Sequence, residues 1–190
     1  THFAYFNLHL NGDGTIYTNV NRREQDPGYT NFRRLVEGKI DYHDKPLILT
    51  FMPESQSALV NSIASPINRQ RTISTILSTM RESRAVGVNI DYEPLGDIPS
   101  SVRDNFTQFI KELSLELNNL GGKDSILSIS VYASSAVRQR IWDLKQLASQ
   151  IDYLVVMTSL CQGLLLQGPI LPFVVLVISL SMTLLKISQK

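Results

Sequence analysis

Apolar residues recur along this chain with two different periods, and the alternation between them outlines the fold. Short, nearly continuous apolar runs read as buried strands: "HFAYFNLHL" (2–10), "PLILTFM" (46–52), "GVNIDY" (87–92), "ILSISVY" (126–132) and "YLVVM" (153–157). Longer stretches between them have helical spacing. From Pro66 to Arg84, Ile73, Ile76, Leu77 and Met80 share one face. "SSVRDNFTQFIKELSLELNNLGG" (100–122) is the clearest helix, with Phe106, Phe109, Ile110, Leu113 and Leu117 on one side and Gly121 as its stop. Trp142 to Ala148 reads as a short helix. Turn formers supply the punctuation: "NGDG" (11–14) reads as a hairpin turn, Pro53 stops the second strand, and Pro94 and Gly96 stop the third. The stretch from that turn to about residue 33 reads as a polar segment without an element. There is no internal repeat and no low-complexity linker.

Apolar strands separated by amphipathic helices predict an α/β fold, a parallel sheet covered by helices. A doubly wound sheet and a barrel both fit. In either, chemistry collects at the carboxyl ends of the strands.

The third strand carries a contradiction. Residues two apart in a strand share a face, so Asn89, Asp91 and Glu93 line one side and Val88, Ile90 and Tyr92 the other. The two carboxyl groups would stand roughly 6.5 Å apart along the strand, close enough to feel each other. Burial and a like-charged neighbour both favour the neutral form, which is what a general acid requires. An isolated Asp-x-Glu is more often a solvated edge pairing with lysines. Here the pair sits at the carboxyl end of its strand, and that placement points to a site.

Composition removes several alternatives. The chain has 190 residues, enough for one domain with a real core, and 18 basic against 17 acidic residues give no charge for a nucleic-acid partner. Cys161 is the single cysteine and forms no internal disulfide. His2, His9 and His43 stand apart, so no metal site is expected, and no glycine-rich loop suggests a phosphate or other cofactor. The chain begins at Thr1 with no leader, as a processed product or a fragment would.

"GVNIDYEP" resembles the signature strand of the family 18 glycoside hydrolases, the chitinase-like barrels, which reads Asp-Gly-x-Asp-x-Asp-x-Glu. On that pattern Val86 takes the first Asp position, Gly87 the Gly, Asn89 the second Asp, Asp91 the third and Glu93 the catalytic acid. The likeness runs on in order. "THFAYFNLHLNGDGTI" resembles the family's second strand and its turn, "PLILTFM" the third strand, and "NRQRTISTILSTMRE" the helix before the signature. "RDNFTQFIKELSLEL" is similar to the helix after it, "ILSISVYAS" to the fifth strand and "WDLKQLASQIDYLVVMT" to the approach and sixth strand.

The resemblance implies an incomplete (β/α)8 TIM-type barrel over residues 1–158, holding family strands two to six. A complete barrel of this type runs to about 250 residues. It implies a glycosidase cutting β-1,4-linked N-acetylated amino sugars, chitin or peptidoglycan glycan, by substrate-assisted retaining hydrolysis. Glu93 would be the acid and base, and Asp91 would orient the acetamide and steady the oxazolinium intermediate. Supporting residues on this reading are Asn89, by a hydrogen bond to Asp91, together with Tyr92, Tyr132, Met157 and Phe6. Aromatic Tyr5, Phe6, Tyr92 and Tyr132 are candidates to stack on sugar rings, with barrel packing as the competing role. The implied partner is a glycan with N-acetylglucosamine units, and the implied location of a full-length version is extracellular or at the cell surface.

Several positions depart from the family. Val86 and Asn89 replace two aspartates of the signature. Thr50, Phe51, Met52 and Pro53 stand where the third strand usually ends in Ser-x-Gly-Gly. Met157, Thr158, Ser159 and Leu160 replace the usual Met-x-Tyr-Asp of the sixth strand, losing the tyrosine that holds the acetamide. A catalytically inactive carbohydrate-binding relative, or a truncated product, is therefore the alternative.

Residues 159–190 form a hydrophobic tail that does not match the family. Ile170–Leu185 is shorter than the ~20 residues of a membrane span and contains Pro172, which makes it a weak anchor. A core strand with a helix, and a broken continuation of the barrel, are the other two readings. The broken continuation is the one expected.

Overall fold

All five expected strands form, and they pair parallel in chain order. The computed structural model describes residues 2–121 and 125–157, together with the backbone of 175–179. In chain order the strands are β1 (Phe3–Leu10), β2 (Asn19–Asn21), β3 (Glu24–Gln25), β4 (Leu47–Pro53), β5 (Gly87–Ile90), β6 (Ile126–Tyr132), β7 (Tyr153–Met157) and β8 (Val175–Ser179). The helices are α1 (Pro27–Val36), α2 (Gln56–Asn61), α3 (Pro66–Ser83), α4 (Ser100–Gly121) and α5 (Leu144–Leu147). The main sheet runs β1-β4-β5-β6-β7-β8, parallel from β1 through β7. Five consecutive parallel staves with helices on their outer face make this an α/β fold, an incomplete barrel of the TIM type.

β8 departs from the parallel rule. It pairs antiparallel with β7, Met157 facing Val175 and Tyr153 facing Ser179. The expected broken continuation and membrane anchor fall largely on 158–174 and 180–190, which lie outside the described residues. Among the described residues no helix is long and apolar enough to cross a membrane.

Two helices occupy stretches that the apolar pattern passed over. α1 lies within the expected polar segment. Asp26 caps it by accepting from the Tyr29 N–H, Pro27 opens it, and Phe32 and Leu35 are its buried contacts. α2 is a six-residue helix capped by Ser55, which accepts from the Ala58 N–H. β2 and β3 make a small hairpin between the "NGDG" turn and α1.

The layer between sheet and helices is the core. Val88, Ile90 and Tyr92 point into it from the third stave and are fully buried. Tyr92 stacks on Phe109 at 5.7 Å and 22°, and lies 5.7 Å from Phe106. Its hydroxyl shares a 3.1 Å hydrogen bond with Ser62. Arg69 of α3 grips Glu112 of α4 with two bonds of 3.0 and 3.1 Å, joining the two longest helices. Gly87 is required where β5 meets β6: a Cβ there would stand 2.6 Å from the Ile126 carbonyl oxygen.

Burial of this aromatic group should dominate stability. Phe109→Ala leaves a cavity against Tyr92 and Phe106 and should cost about 3–5 kcal/mol. Urea denaturation would show it as a lower midpoint with an unchanged slope.

Candidate active site

The expected alternation along β5 holds through its carboxyl end. Asn89, Asp91 and Glu93 face the concave side of the sheet, where they help to line a cavity of about 560 Å³. The β4–β5 ladder reaches Asp91, whose N–H donates to the Phe51 carbonyl at 2.9 Å. Asp91 is therefore fixed by backbone pairing, and Glu93 extends beyond the strand toward the cavity mouth.

Their surroundings differ. Asp91 is 1% exposed, and its Oδ1 has no hydrogen-bond partner among the described residues. Burial, and secondarily the charge of Glu93, push its pKa from 3.8 up to about 6, against a smaller opposing pull from the Ser130 hydroxyl. Glu93 is only partly buried. Its Oε2 accepts a 3.2 Å hydrogen bond from the Tyr132 hydroxyl at the end of β6. Tyr132 is held edge-on against buried Trp142 at 5.1 Å, and the Arg140 guanidinium lies 5.0 Å from its ring centre. Burial first, then the nearby Glu93 charge, push the Tyr132 pKa up to about 12, so it remains a hydrogen-bond donor.

The other expected residues divide. Phe6 on β1 is 69% exposed and lines the cavity, as does Met157 at the end of β7. Tyr92 does not reach it. The alternation that turns Asp91 and Glu93 inward turns Tyr92 outward into the aromatic core, so it cannot contact a ligand in this cavity. Tyr5 is turned away likewise, packed on Phe32 with its hydroxyl donating to the Gly28 carbonyl. Asn89 supports the site differently from the expected bond to Asp91. It donates to Ser130 Oγ and accepts from Ser128 Oγ, both at 2.9 Å. The serines were legible as polar positions two apart in an otherwise apolar strand. No group of three or more His, Cys, Asp or Glu that could hold a metal occurs among the described residues.

The family model described as Glycosyl hydrolases family 18 matches residues 1–163. The chain belongs to this family. No curated protein matches it. Among solved structures, the Group IV chitinase of Ostrinia furnacalis is 25% identical, with TM-score 0.64 over 84% of this chain and 43% of that one. The spore cortex-lytic enzyme SleL of Bacillus cereus is 17% identical, with TM-score 0.64 over 85% of this chain and 35% of that one. A class V chitinase variant from Nicotiana tobaccum, in complex with NAG4, is 16% identical with TM-score 0.64, over 82% and 45% of the two chains. The chain thus spans less than half the length of each.

Within the family 18 frame, the last two of the signature's four carboxyl groups, Asp91 and Glu93, are kept and face the cavity. The signature's second aspartate is replaced by Asn89, which is bound to serines, and Asp91 Oδ1 has no partner among the described residues. A neutral amide there removes a third negative charge from a buried site.

The raised Asp91 pKa should be measurable through stability. Between pH 3.8 and about 6 the folded chain keeps a proton that the unfolded chain has released. Stability should therefore fall as pH rises through that window, by about 1–3 kcal/mol. Asp91→Asn carries no titrating group, so its denaturation midpoints should lack this fall when both proteins are compared from about pH 4 to about pH 7.

Proposed function

We propose that this site hydrolyses β-1,4-linked sugars bearing 2-acetamido groups, chitin or peptidoglycan glycans, with Glu93 as acid and base. The observation that carries the reading is the unequal carboxyl pair. Asp91 is sunk in the sheet with an acceptor oxygen that has no partner among the described residues, and Glu93 is more exposed, lines the cavity and is bonded to Tyr132. Membership of family 18 supports the reaction class, and one neighbour with this fold was solved with NAG4 and another with allosamidin.

The reaction follows from these positions. Protonated Glu93 gives its proton to the glycosidic oxygen, and the bond from that oxygen to the anomeric carbon breaks. The substrate's own acetamide carbonyl oxygen attacks the same carbon, forming an oxazolinium ring. Asp91 Oδ1 can accept from the acetamide N–H, which aligns the carbonyl for attack and places a carboxylate beside the developing positive charge. Glu93, now ionised, takes a proton from water as the water attacks the anomeric carbon and the ring reopens. Retention of configuration results. Tyr132 donates to Glu93 Oε2 and so holds that carboxyl group in place. A full-length version would act outside the cell or at its surface, where such polymers are found.

A second reading is binding without turnover. Its support is the bonding of Asn89 away from Asp91 and the sequence Met157-Thr158-Ser159-Leu160 where the family has a tyrosine and an aspartate. Glu93→Gln separates the two readings. Glutamine nearly matches glutamate in shape but has no proton for the leaving group, so hydrolysis of an N-acetylglucosamine oligomer should fall about 10²–10⁴-fold. Calorimetric affinity for the oligomer should stay within about threefold, since the remaining contacts are kept. Equal, negligible turnover in both proteins with intact binding would favour the second reading. More than about a tenth of activity in Glu93→Gln would remove Glu93 from the role of acid.

A further inference from the structure

Beyond Asp91 the backbone that carries Glu93 leaves the sheet, yet the Glu93 and Pro94 carbonyls and the Leu95 N–H remain bonded. In the β4–β5 register, Thr50 faces Asn89 and Phe51 faces Ile90, and the Asp91 N–H reaches the Phe51 carbonyl. The next β4 donor in this parallel ladder is residue 53. That residue is Pro53, which has no N–H, so the ladder cannot continue.

A side chain takes over. Gln56, in the first turn of α2, donates from Nε2 to the Glu93 carbonyl and accepts at Oε1 from the Leu95 N–H, both at 2.8 Å. The two bonds straddle Pro94, as the N–H and C=O of one residue on a neighbouring parallel strand would. Arg140 adds a 3.3 Å bond from Nη1 to the Pro94 carbonyl. Two side chains therefore bond the backbone on both sides of Pro94. Pro94 itself offers no N–H, and Gly96, at φ 72°, turns the chain away immediately afterwards.

We propose that Gln56 is a positioning residue, its side-chain amide standing in for the ladder rung that follows the one Pro53 interrupts and setting the backbone from which Glu93 projects. The placement of α2 makes this possible: Ser55 caps the helix directly after β4, which delivers the amide of the next residue to the end of the neighbouring strand. Without that clamp Glu93 keeps its cavity and its Tyr132 partner but loses the fixed main chain on which proton delivery depends. This proposal rests on the glycosidase reading for its effect on rate, and on geometry alone for the clamp.

Gln56→Ala and Gln56→Glu test it, read by amide exchange and by hydrolysis of an N-acetylglucosamine tetramer. Gln56 is exposed, and alanine is well suited to a helix, so folding should persist, with the Asp91 amide as the internal control. In Gln56→Ala the Leu95 amide should exchange at least about tenfold faster while Asp91 stays protected. The same variant should lose about 10–100-fold in kcat, as small misplacements of an acid do. KM should move less than about twofold, since no sugar contact is removed. Gln56→Glu keeps the acceptor for Leu95 but loses the donor to Glu93 at neutral pH, so kcat should fall with Leu95 still protected. Unchanged Leu95 exchange in Gln56→Ala, or full kcat in either variant, would overturn the proposal. Faster Leu95 exchange in a protein that never turns over the tetramer would sustain the clamp and overturn the glycosidase reading.

Discussion

The two-residue alternation of β5 is the constraint on which both core and site depend. Within six residues it sends Val88, Ile90 and Tyr92 into the helix layer and Asn89, Asp91 and Glu93 into the concave cavity. The two sets cannot be adjusted separately. A slip of one residue in the Thr50–Asn89 register would bury two carboxyl groups among Phe106 and Phe109 and expose Tyr92. The aromatic packing on one side thus fixes the register that presents the carboxyl pair on the other. Gly87 reinforces it by admitting the close approach of Ile126.

Depth along the strand then separates the two acids. Asp91 is the last residue bonded into the β4–β5 ladder and is almost wholly desolvated, whereas Glu93 lies two residues further out, partly exposed and hydrogen-bonded to Tyr132. Burial raises the proton affinity of the first, and the second accepts a hydrogen bond from the Tyr132 hydroxyl. One strand therefore presents two carboxyl groups in different surroundings. Asn89 completes the arrangement by bonding the buried hydroxyls of Ser128 and Ser130.

Much of this was legible in the sequence because the signals were periodic. The five parallel staves, α3, α4 and the facing of Asp91 and Glu93 follow from apolar spacing and strand alternation. α1 was missed although its start was written in Asp26 and Pro27, because a short amphipathic helix in a polar stretch has only Phe32 and Leu35 as buried contacts. Of the two roles open to Tyr92, sugar stacking and barrel packing, its position in the alternation selects packing. Gln56 and Arg140 carried no signal, since their roles depend on backbone atoms 37 and 46 residues away in the chain. The antiparallel addition of β8 also lay beyond reach, because a short apolar run does not encode its direction.

In the proposed reaction the substrate's own acetamide is the nucleophile, oriented by Asp91 and triggered by Glu93. Proton NMR of the first products from an N-acetylglucosamine tetramer, run beside the same tetramer with its amino groups deacetylated, tests it directly. Attack by the acetamide predicts that the β-anomer appears first from the acetylated tetramer and that the deacetylated one is not cleaved. Initial release of the α-anomer, or equal cleavage of the two tetramers, would contradict it.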